Sequence, residues 1–283
     1  MKRYTSMKVG GQVPYLVYPR DQEDLVEALR RLQKENYSFR ILGNGTNIIV
    51  SDKGIDTVLV RLTKMKYLRY ENTGEGSIVD VSGGASLRLF IKDLAERELG
   101  GLEKLYWIPG TVGGGVRMNA GSFGQSISDT LEEVTIANCS GNVSSIGRKH
   151  LKFGYRLSPV GPADCVVSAR FRLMKKKKSD ILRDMQFVYS ERKKRHPMEY
   201  PSAGSVFKSA NDEPAWKFIE RAGLKGYSIG QAQVSEKHAN FIINRGRAKA
   251  KDVWDLIQKI KSEVYQQLGV TLHEEVELWG FNG

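Results

Sequence analysis

The chain has 283 residues, of which 40% are hydrophobic and 27% are charged, and its formal net charge is +12. These proportions are typical of a globular protein, and this length has room for about two domains with a substantial core. No apolar run approaches the ~20 residues of a membrane helix, and no apolar segment of a secretory signal follows the first residues. We therefore expect a cytoplasmic protein without a membrane partner.

The positive charge is dispersed, and its densest runs, 175–178 and 192–195, flank a helix-like segment. A solvated charged face is the first interpretation of these runs, and no basic run is interleaved with aromatic residues as in single-strand binders. We expect no nucleic-acid partner, although a basic nucleic-acid-binding module stays open as the non-enzyme alternative. Cys139 and Cys165 are too far apart for a metal motif, so no metal site is predicted and both are expected to be buried thiols.

The first predicted elements form a small α/β lobe that ends near residue 60. An amphipathic helix over residues 21–32 places Leu25, Leu29 and Leu32 on one face. A strand follows and leads into the polar loop 43–47, after which a second apolar strand begins. Taken alone, the Asn-Gly pair in this loop favours a β-hairpin. The alternative is a nest of backbone amides that binds phosphate oxygens.

Short strands dominate residues 57–173 and predict a larger α+β lobe. They are interrupted by a helix from Ser86 to Leu99, which is expected to end at Gly100 and Gly101. A connecting helix is predicted from Ser179 to Arg195, because a proline follows at position 197.

The remainder of the chain alternates helix and strand. Pro214 is predicted to occupy the first position of one helix, which Gly223 closes. A second helix is predicted over residues 250–268 with Gly269 at its end.

The most informative segment is 108–124, in which six of seventeen residues are glycine. Each glycine in an ordinary element costs roughly 0.5–1 kcal/mol relative to alanine, so this density indicates main chain laid against a large flat ligand. Interleaved isoleucine, proline and valine residues argue against a flexible linker. Neither glycine segment fits the usual dinucleotide fingerprint or the P-loop pattern.

In this order, the segments 43–47 and 108–124 resemble the flavin-binding segments of the UDP-N-acetylenolpyruvoylglucosamine reductase (MurB) family. The resemblance extends over nearly the whole chain, through segments 9–11, 153–158, 201–208, 222–242 and 272–276. It implies an α+β fold, with a two-lobed FAD-binding fold of the PCMH/vanillyl-alcohol-oxidase type and a C-terminal α+β substrate-binding domain. The implied boundaries are 1–57 and 58–190 for the lobes and 191–283 for the C-terminal domain.

The resemblance also implies an activity, the NADPH-dependent reduction of an enolpyruvyl UDP-sugar through FAD in the synthesis of peptidoglycan precursors. The implied catalytic residues are Arg156 and Glu275, which stabilise negative charge on the substrate, and Ser205, which donates a proton to it. From the residues alone, each has an ordinary alternative: a surface arginine, a solvent-facing strand carboxylate and a turn serine. Alternation along a strand supports Glu275 or Glu274 but not both.

The resemblance supplies further site residues. Those expected to bind FAD are Gly43, Asn44, Gly45, Thr46, Asn47, Pro109, Gly110, Thr111, Val112, Gly113, Gly114, Asn119, Ala120 and Gly121. Those expected to contact the substrate are Tyr155, Arg195, Lys208, Ser209 and His238. The protein is expected to be a monomer or a weak oligomer.

Two features modify the resemblance. The family usually has asparagine where this chain has Ser209, and the 49 positions from Arg156 to Ser205 indicate the subtype that lacks an extra tyrosine-bearing loop. A flavin oxidase of related fold stays open as the enzyme alternative.

Overall fold

The structure is a computed structural model in which residues 1–281 are described. The chain forms two compact units. The central unit comprises residues 15–44 and 57–190, and the terminal unit comprises residues 1–14, 45–56 and those from 191 onward. The division into two flavin-binding lobes and a C-terminal domain stays a prediction about functional domains.

Helices and short strands are mixed throughout residues 1–281, which confirms the α+β class. The helices are α1 (Gln22–Lys34), α2 (Leu87–Glu96), α3 (Val112–Arg117), α4 (Lys178–Arg195), α5 (Ala215–Arg221) and α6 (Ala250–Leu268). The strands are β1 (Leu16–Val17), β2 (Phe39–Ile41), β3 (Ile48–Val50), β4 (Val58–Val60), β5 (Leu68–Asn72), β6 (Gly76–Ser82), β7 (Leu99–Gly100), β8 (Gly121–Ser122), β9 (Gln125–Ser126), β10 (Leu131–Ala137), β11 (Val143–Gly147), β12 (Cys165–Lys175), β13 (Ser202–Ser205), β14 (Ser228–Ile229), β15 (Ala232–Val234), β16 (Phe241–Asn244) and β17 (Glu277–Trp279).

The central unit contains a parallel sheet in the order β1-β4-β2 and a sheet in the order β11-β10-β12-β6-β5, with β7 paired to β12. Helix α1 begins where the Asp21 carboxylate accepts a hydrogen bond of 2.9 Å from the amide of Asp24, a typical N-cap. Leu25, Leu29 and Leu32 are buried on its inner face. The predicted amphipathic helix is therefore confirmed.

Helix α2 is shorter than predicted. Ser86 caps its start, but the helix ends at Glu96 rather than at Leu99. Glu98 takes a left-handed conformation with a φ of 56°, and the following residues form β7, which pairs with β12. The apolar pattern of the sequence continues to Leu99, which is also buried. Leu99 is buried in a strand, however, and not in the helix.

The loop 43–47 lies between two strands, as predicted, but the hairpin interpretation is wrong. Strand β2 pairs in parallel with β4, and β3 pairs in parallel with β17. A hairpin requires its two strands to pair with each other. Here each strand finds its partner in a different sheet, so the loop is a connection between sheets.

The terminal unit contains an antiparallel sheet in the order β13-β16-β15-β14 and the β17-β3 pair. Helix α6 has the predicted bounds and buries a row that includes Val253, Ile257 and Ile260. It ends at Gly269, which has a φ of 67°, the left-handed C-cap expected of glycine. Pro214 lies one position earlier than predicted, at the N-cap of α5.

The two cysteines differ. Cys165 is buried, and this burial raises the pKa of its thiol to about 12. Cys139 is exposed, so its predicted burial is wrong, because the turn after β10 places it at the surface. Among residues 1–281, no helix has both the length and the apolarity required to cross a membrane.

Candidate active site

The glycines of the loop 43–47 are required by the protein's own packing. A Cβ atom on Gly45 would lie 2.0 Å from the carbonyl oxygen of Tyr4, and Gly45 has a φ of 61°. In the central unit, a Cβ atom on Gly43 would lie 2.9 Å from Oγ1 of Thr111. No larger side chain fits at either position without movement of the backbone or of Thr111. Both positions therefore require glycine whether or not a ligand is bound.

The second glycine segment contains helix α3, which the sequence did not predict. Thr111 caps it by accepting a hydrogen bond of 3.2 Å from the amide of Gly114. A Cβ atom on Gly113 would lie 3.0 Å from the carbonyl oxygen of Gly83, and one on Gly115 would lie 3.0 Å from Cδ1 of Ile127. Packing within the protein is therefore enough to require glycine at positions 113 and 115, and the assignment of Gly113 to flavin binding stays a prediction.

Two other glycines of this segment border open space. A Cβ atom on Gly114 would meet only Oγ1 of Thr111, at 3.3 Å, and one on Gly124 would have no neighbour within 4 Å. These positions leave main chain uncovered, as the approach of a flat ligand requires.

A cavity of about 420 Å³ opens in the central unit beside this segment. It is lined by Asn119, Gly121, Ser122, Phe123, Gly124, Gln125, Ser126, Gly154, Tyr155 and Arg156. Asn119 is 8% exposed, and its Nδ2 donates a hydrogen bond of 2.9 Å to the carbonyl oxygen of Gly154. Its buried Oδ1 atom has no hydrogen-bond partner. An orphaned buried acceptor is costly, so this atom is suited to receive an N–H group of a bound molecule.

Arg156 lies at this cavity in a strained conformation. Gly154 and Leu157 exchange backbone hydrogen bonds of 3.0 Å and 3.1 Å, which makes Tyr155 and Arg156 the centre of a tight turn. Arg156 has a φ of 55°, and its guanidinium lies 5.1 Å from the centroid of the Tyr155 ring. A left-handed conformation is uncommon for arginine, and such strain is concentrated at functional sites.

In the terminal unit, the structure brings the segments of Ser205 and Glu275 together. Ser205 ends β13 and pairs with Phe241 of β16. The amide of Glu275 donates a hydrogen bond of 2.7 Å to the carbonyl oxygen of Val206, and the amide of Lys208 donates one of 2.9 Å to His273. The two candidate catalytic residues of this unit thus lie on adjacent, directly bonded segments.

Residues 13–147 match the FAD binding domain family, and residues 196–279 match the C-terminal domain of UDP-N-acetylenolpyruvoylglucosamine reductase. The reductase of Syntrophus aciditrophicus is 40% identical and covers 100% of this chain and 91% of its own length. That of Caldanaerobacter subterraneus is also 40% identical, over 99% of this chain and 92% of its own. The crystal structure of MurB from Thermus caldophilus superposes with a TM-score of 0.81 at 34% identity, over 98% of this chain and 96% of its own.

The chain belongs to the UDP-N-acetylenolpyruvoylglucosamine reductase family. Its fold is therefore a flavin-binding fold of the vanillyl-alcohol-oxidase type followed by the C-terminal MurB domain, as predicted. Membership over the full length also decides against the flavin oxidase and the nucleic-acid-binding module.

The residues of this chain fit a flavin. Gly114 and Gly124 leave main chain open to a ligand, and the orphaned Oδ1 of Asn119 provides a buried acceptor. Among the other residues expected to bind FAD, Asn47 is bonded within the protein: its Nδ2 donates to the carbonyl oxygen of Glu275 at 3.0 Å.

The two adjacent glutamates, Glu274 and Glu275, differ in their contacts. Glu274 forms an ion pair of 2.8 Å with Lys261, which occupies its carboxylate. Glu274 forms a single antiparallel bridge with Phe207, and Glu275 lies in a bend before β17, so the expected strand is reduced to one bridge here. The preference for Glu275 as the functional carboxylate stays a prediction.

The residues expected to contact the substrate have varied surroundings. Tyr155 is 65% exposed, and Lys208 and Ser209 are also exposed. Arg195 forms an ion pair of 2.6 Å with Glu191. His238 packs against Phe241, with ring centroids 4.9 Å apart, and burial lowers the pKa of its imidazole.

Sequence reasoning missed Asn240. Its side chain, 6% exposed, accepts a hydrogen bond of 2.9 Å from the amide of Phe207 and donates one of 2.8 Å to the carbonyl oxygen of the same residue. This bidentate contact replaces one rung of a β-ladder directly after Ser205. The available signal was an amide residue in the otherwise apolar run 239–243, because a buried polar group must be bonded.

Proposed function

We propose that this protein reduces the enolpyruvyl group of UDP-N-acetyl-3-O-(1-carboxyvinyl)-glucosamine to give UDP-N-acetylmuramate, a step in peptidoglycan precursor synthesis. Its cofactors are FAD and NADPH. FAD, which residues 43–46, 109–114 and 119–121 would hold, would supply the chemistry of hydride transfer between NADPH and C3 of the enolpyruvyl group. The subtype without the extra tyrosine loop, a cytoplasmic location and a monomeric or weakly oligomeric state form part of the proposal.

The chain's own residues have three roles in the proposed reaction. Arg156 is a permanent cation and stabilises the negative charge that develops on the substrate carboxylate as C3 is reduced. Glu275 helps to stabilise the enolate-like intermediate that forms on the enolpyruvyl group. Ser205 donates its hydroxyl proton to C2, so that hydride and proton together saturate the double bond.

The FAD-binding assignments of residues 43–46, 109–114 and 119–121 also belong to this proposal, whereas the side chain of Asn47 is bonded to the carbonyl oxygen of Glu275. The substrate contacts of Tyr155, Arg195, Lys208, Ser209 and His238 belong to it as well. The exposed Lys208 and Ser209 follow Ser205 within four residues. This proximity makes them the best supported of the substrate contacts.

One observation carries the catalytic assignment. The amide of Glu275 is bonded to the carbonyl oxygen of Val206 at 2.7 Å. Ser205 and Glu275, which are 70 positions apart in the sequence, are thereby held on neighbouring segments, as an acid and a charge-stabilising group must be if both act on one substrate.

Anaerobic stopped-flow absorbance tests the proposal. NADPH should bleach the flavin of the parent protein, and the enolpyruvyl UDP-sugar should restore its colour. In Ser205→Ala, we expect normal bleaching but a recolouring rate lowered by about 10²- to 10⁴-fold, the usual contribution of a positioned proton donor.

Ser262→Ala is the matched control, because Ser262 is exposed on α6 and undergoes the same chemical change. It should keep the parent rate in both steps. A parent protein whose flavin does not respond to either reactant would refute the proposed function, and normal recolouring in Ser205→Ala would refute the role of the serine.

A further inference from the structure

Asn47 belongs to a polar loop in which it was expected to hold flavin phosphate oxygens, but its side chain is engaged elsewhere. Its Nδ2 donates a hydrogen bond of 3.0 Å to the carbonyl oxygen of Glu275. Its own carbonyl oxygen accepts a hydrogen bond of 2.9 Å from the amide of Glu277. Asn47 thus contacts the segment of the candidate carboxylate from both its side chain and its main chain.

Two hydrogen bonds hold the backbone of Glu275, one at its amide and one at its carbonyl oxygen. Its amide is held by Val206, at 2.7 Å, and its carbonyl oxygen is held by Asn47. One anchor follows Ser205 directly, and the other is the last residue of the loop 43–47. A residue whose N–H and C=O are both bonded has little freedom to rotate, and the direction of its side chain is restricted accordingly.

The following strand continues this attachment. Glu277 pairs with Ile48 and Trp279 pairs with Val50. Strand β17 therefore lies beside β3, which begins immediately after Asn47. The strand pairing alone begins two residues after Glu275. The side chain of Asn47 adds a hydrogen bond to Glu275, which lies before the first pair of the two strands.

From this arrangement we propose that Asn47 is a positioning residue for Glu275, which orients the carboxylate for the reduction of the enolpyruvyl group. The inference rests on the proposed function. It assigns Asn47 to the reduction of the substrate, in which Glu275 acts. Asn47 then has no part in the reduction of the flavin by NADPH.

Asn47→Asp is the most direct test, because it preserves the shape of the side chain, removes the N–H donor and places an oxygen against the carbonyl of Glu275. In anaerobic stopped-flow experiments, we expect bleaching by NADPH to change by less than about threefold. Recolouring by the enolpyruvyl UDP-sugar should be slowed by about tenfold or more at saturating substrate, since a small displacement of a catalytic group is costly.

Hydrogen–deuterium exchange supplies a readout that is independent of turnover. In Asn47→Asp, amides in residues 275–279 should exchange faster than in the parent, because the bond that holds this segment is lost. Asn47→Ala removes the donor without adding charge and should show the same pattern if the aspartate variant does not fold. Asn142→Asp, an exposed turn residue, should behave as the parent.

The remaining outcomes overturn the proposal. Loss of flavin, or equal slowing of bleaching and recolouring, would assign Asn47 to the flavin instead. Unchanged recolouring with unchanged exchange would show that the bond to Glu275 has no role. Failure of the parent protein in either half-reaction would refute the proposed function, and the positioning role with it.

Discussion

At the scale of single residues, the terminal unit contains a cluster of two histidines with Phe241. The ring centroids of His196 and His238 lie 5.4 Å apart, and that of His196 lies 5.0 Å from Phe241. Burial, reinforced by the charges of Arg192, His238 and Arg195, lowers the pKa of His196 from 6.5 to about 4. The imidazole is therefore neutral in the folded protein at neutral pH.

This shift predicts a pH dependence of stability. The unfolded ring takes up a proton below about pH 6.5, whereas the folded ring does so only near pH 4. The free energy of unfolding is therefore greatest above pH 6.5 and decreases as the pH falls towards 4. His196→Phe should reduce this decrease by about 1–2 kcal/mol, after allowance for partial exposure. Denaturant unfolding at pH 7 and pH 4.5 measures the decrease in the free energy of unfolding. An equal decrease in parent and variant would contradict the lowered pKa of His196.

At the scale of elements, the loops of the site are held by close contacts between backbones. Gly45 is the strongest case, because a Cβ atom there would lie 2.0 Å from the carbonyl oxygen of Tyr4. The segment that contains Tyr4 is bonded to the same loop, through the amide of Ser6 and the carbonyl oxygen of Gly45 at 3.0 Å. The first residues of the chain are thus part of the support of a loop expected to bind flavin.

Gly45→Ala should displace this loop. We expect loss of at least about 2 kcal/mol of stability from the clash and the strain together, with reduced flavin content. Gly269→Ala is the matched control, since Gly269 has a similar φ of 67° and no atom within 4 Å of its Cβ position. It should lose only about 1 kcal/mol and keep its flavin. Thermal unfolding and the flavin-to-protein absorbance ratio distinguish the two, and equal effects would show that the contact with Tyr4 is unimportant.

At the scale of the whole molecule, the net charge of +12 suits the ligands of the proposed reaction. FAD, NADPH and the UDP-sugar all carry phosphate groups. A positive field raises the rate at which anions meet a protein, and salt screens it over a Debye length of about 8–10 Å at moderate ionic strength. The charge is therefore expected to speed the association of these anionic ligands.

The second-order rate of flavin bleaching by NADPH should consequently fall several-fold between about 20 mM and 500 mM salt. The limiting rate at saturating NADPH provides the internal control and should stay nearly constant, because steering affects encounter only. Stopped-flow measurements across NADPH concentrations separate the two rates. A second-order rate that does not respond to salt would show that the net charge has no role in association.

The sequence by itself determined the elements whose signals are local. Helix α6 has its predicted bounds because a complete apolar face and a terminal glycine both specify it, and α1 follows from three leucines and an aspartate cap. The family also followed from the sequence, since its segments occur in order over nearly the whole chain. In these cases the decisive information lies within a few residues of the element, or in the order of segments.

Only the tertiary structure decided which segments are neighbours. The parallel pairing of β3 with β17 excluded the hairpin, and the pairing of β7 with β12 ended α2 early. The same is true of the contacts of Glu275 with Val206 and Asn47, which join residues far apart in the sequence. Local patterns specify which face of an element is buried, but the burial partner and the backbone hydrogen bonds between segments depend on the fold as a whole.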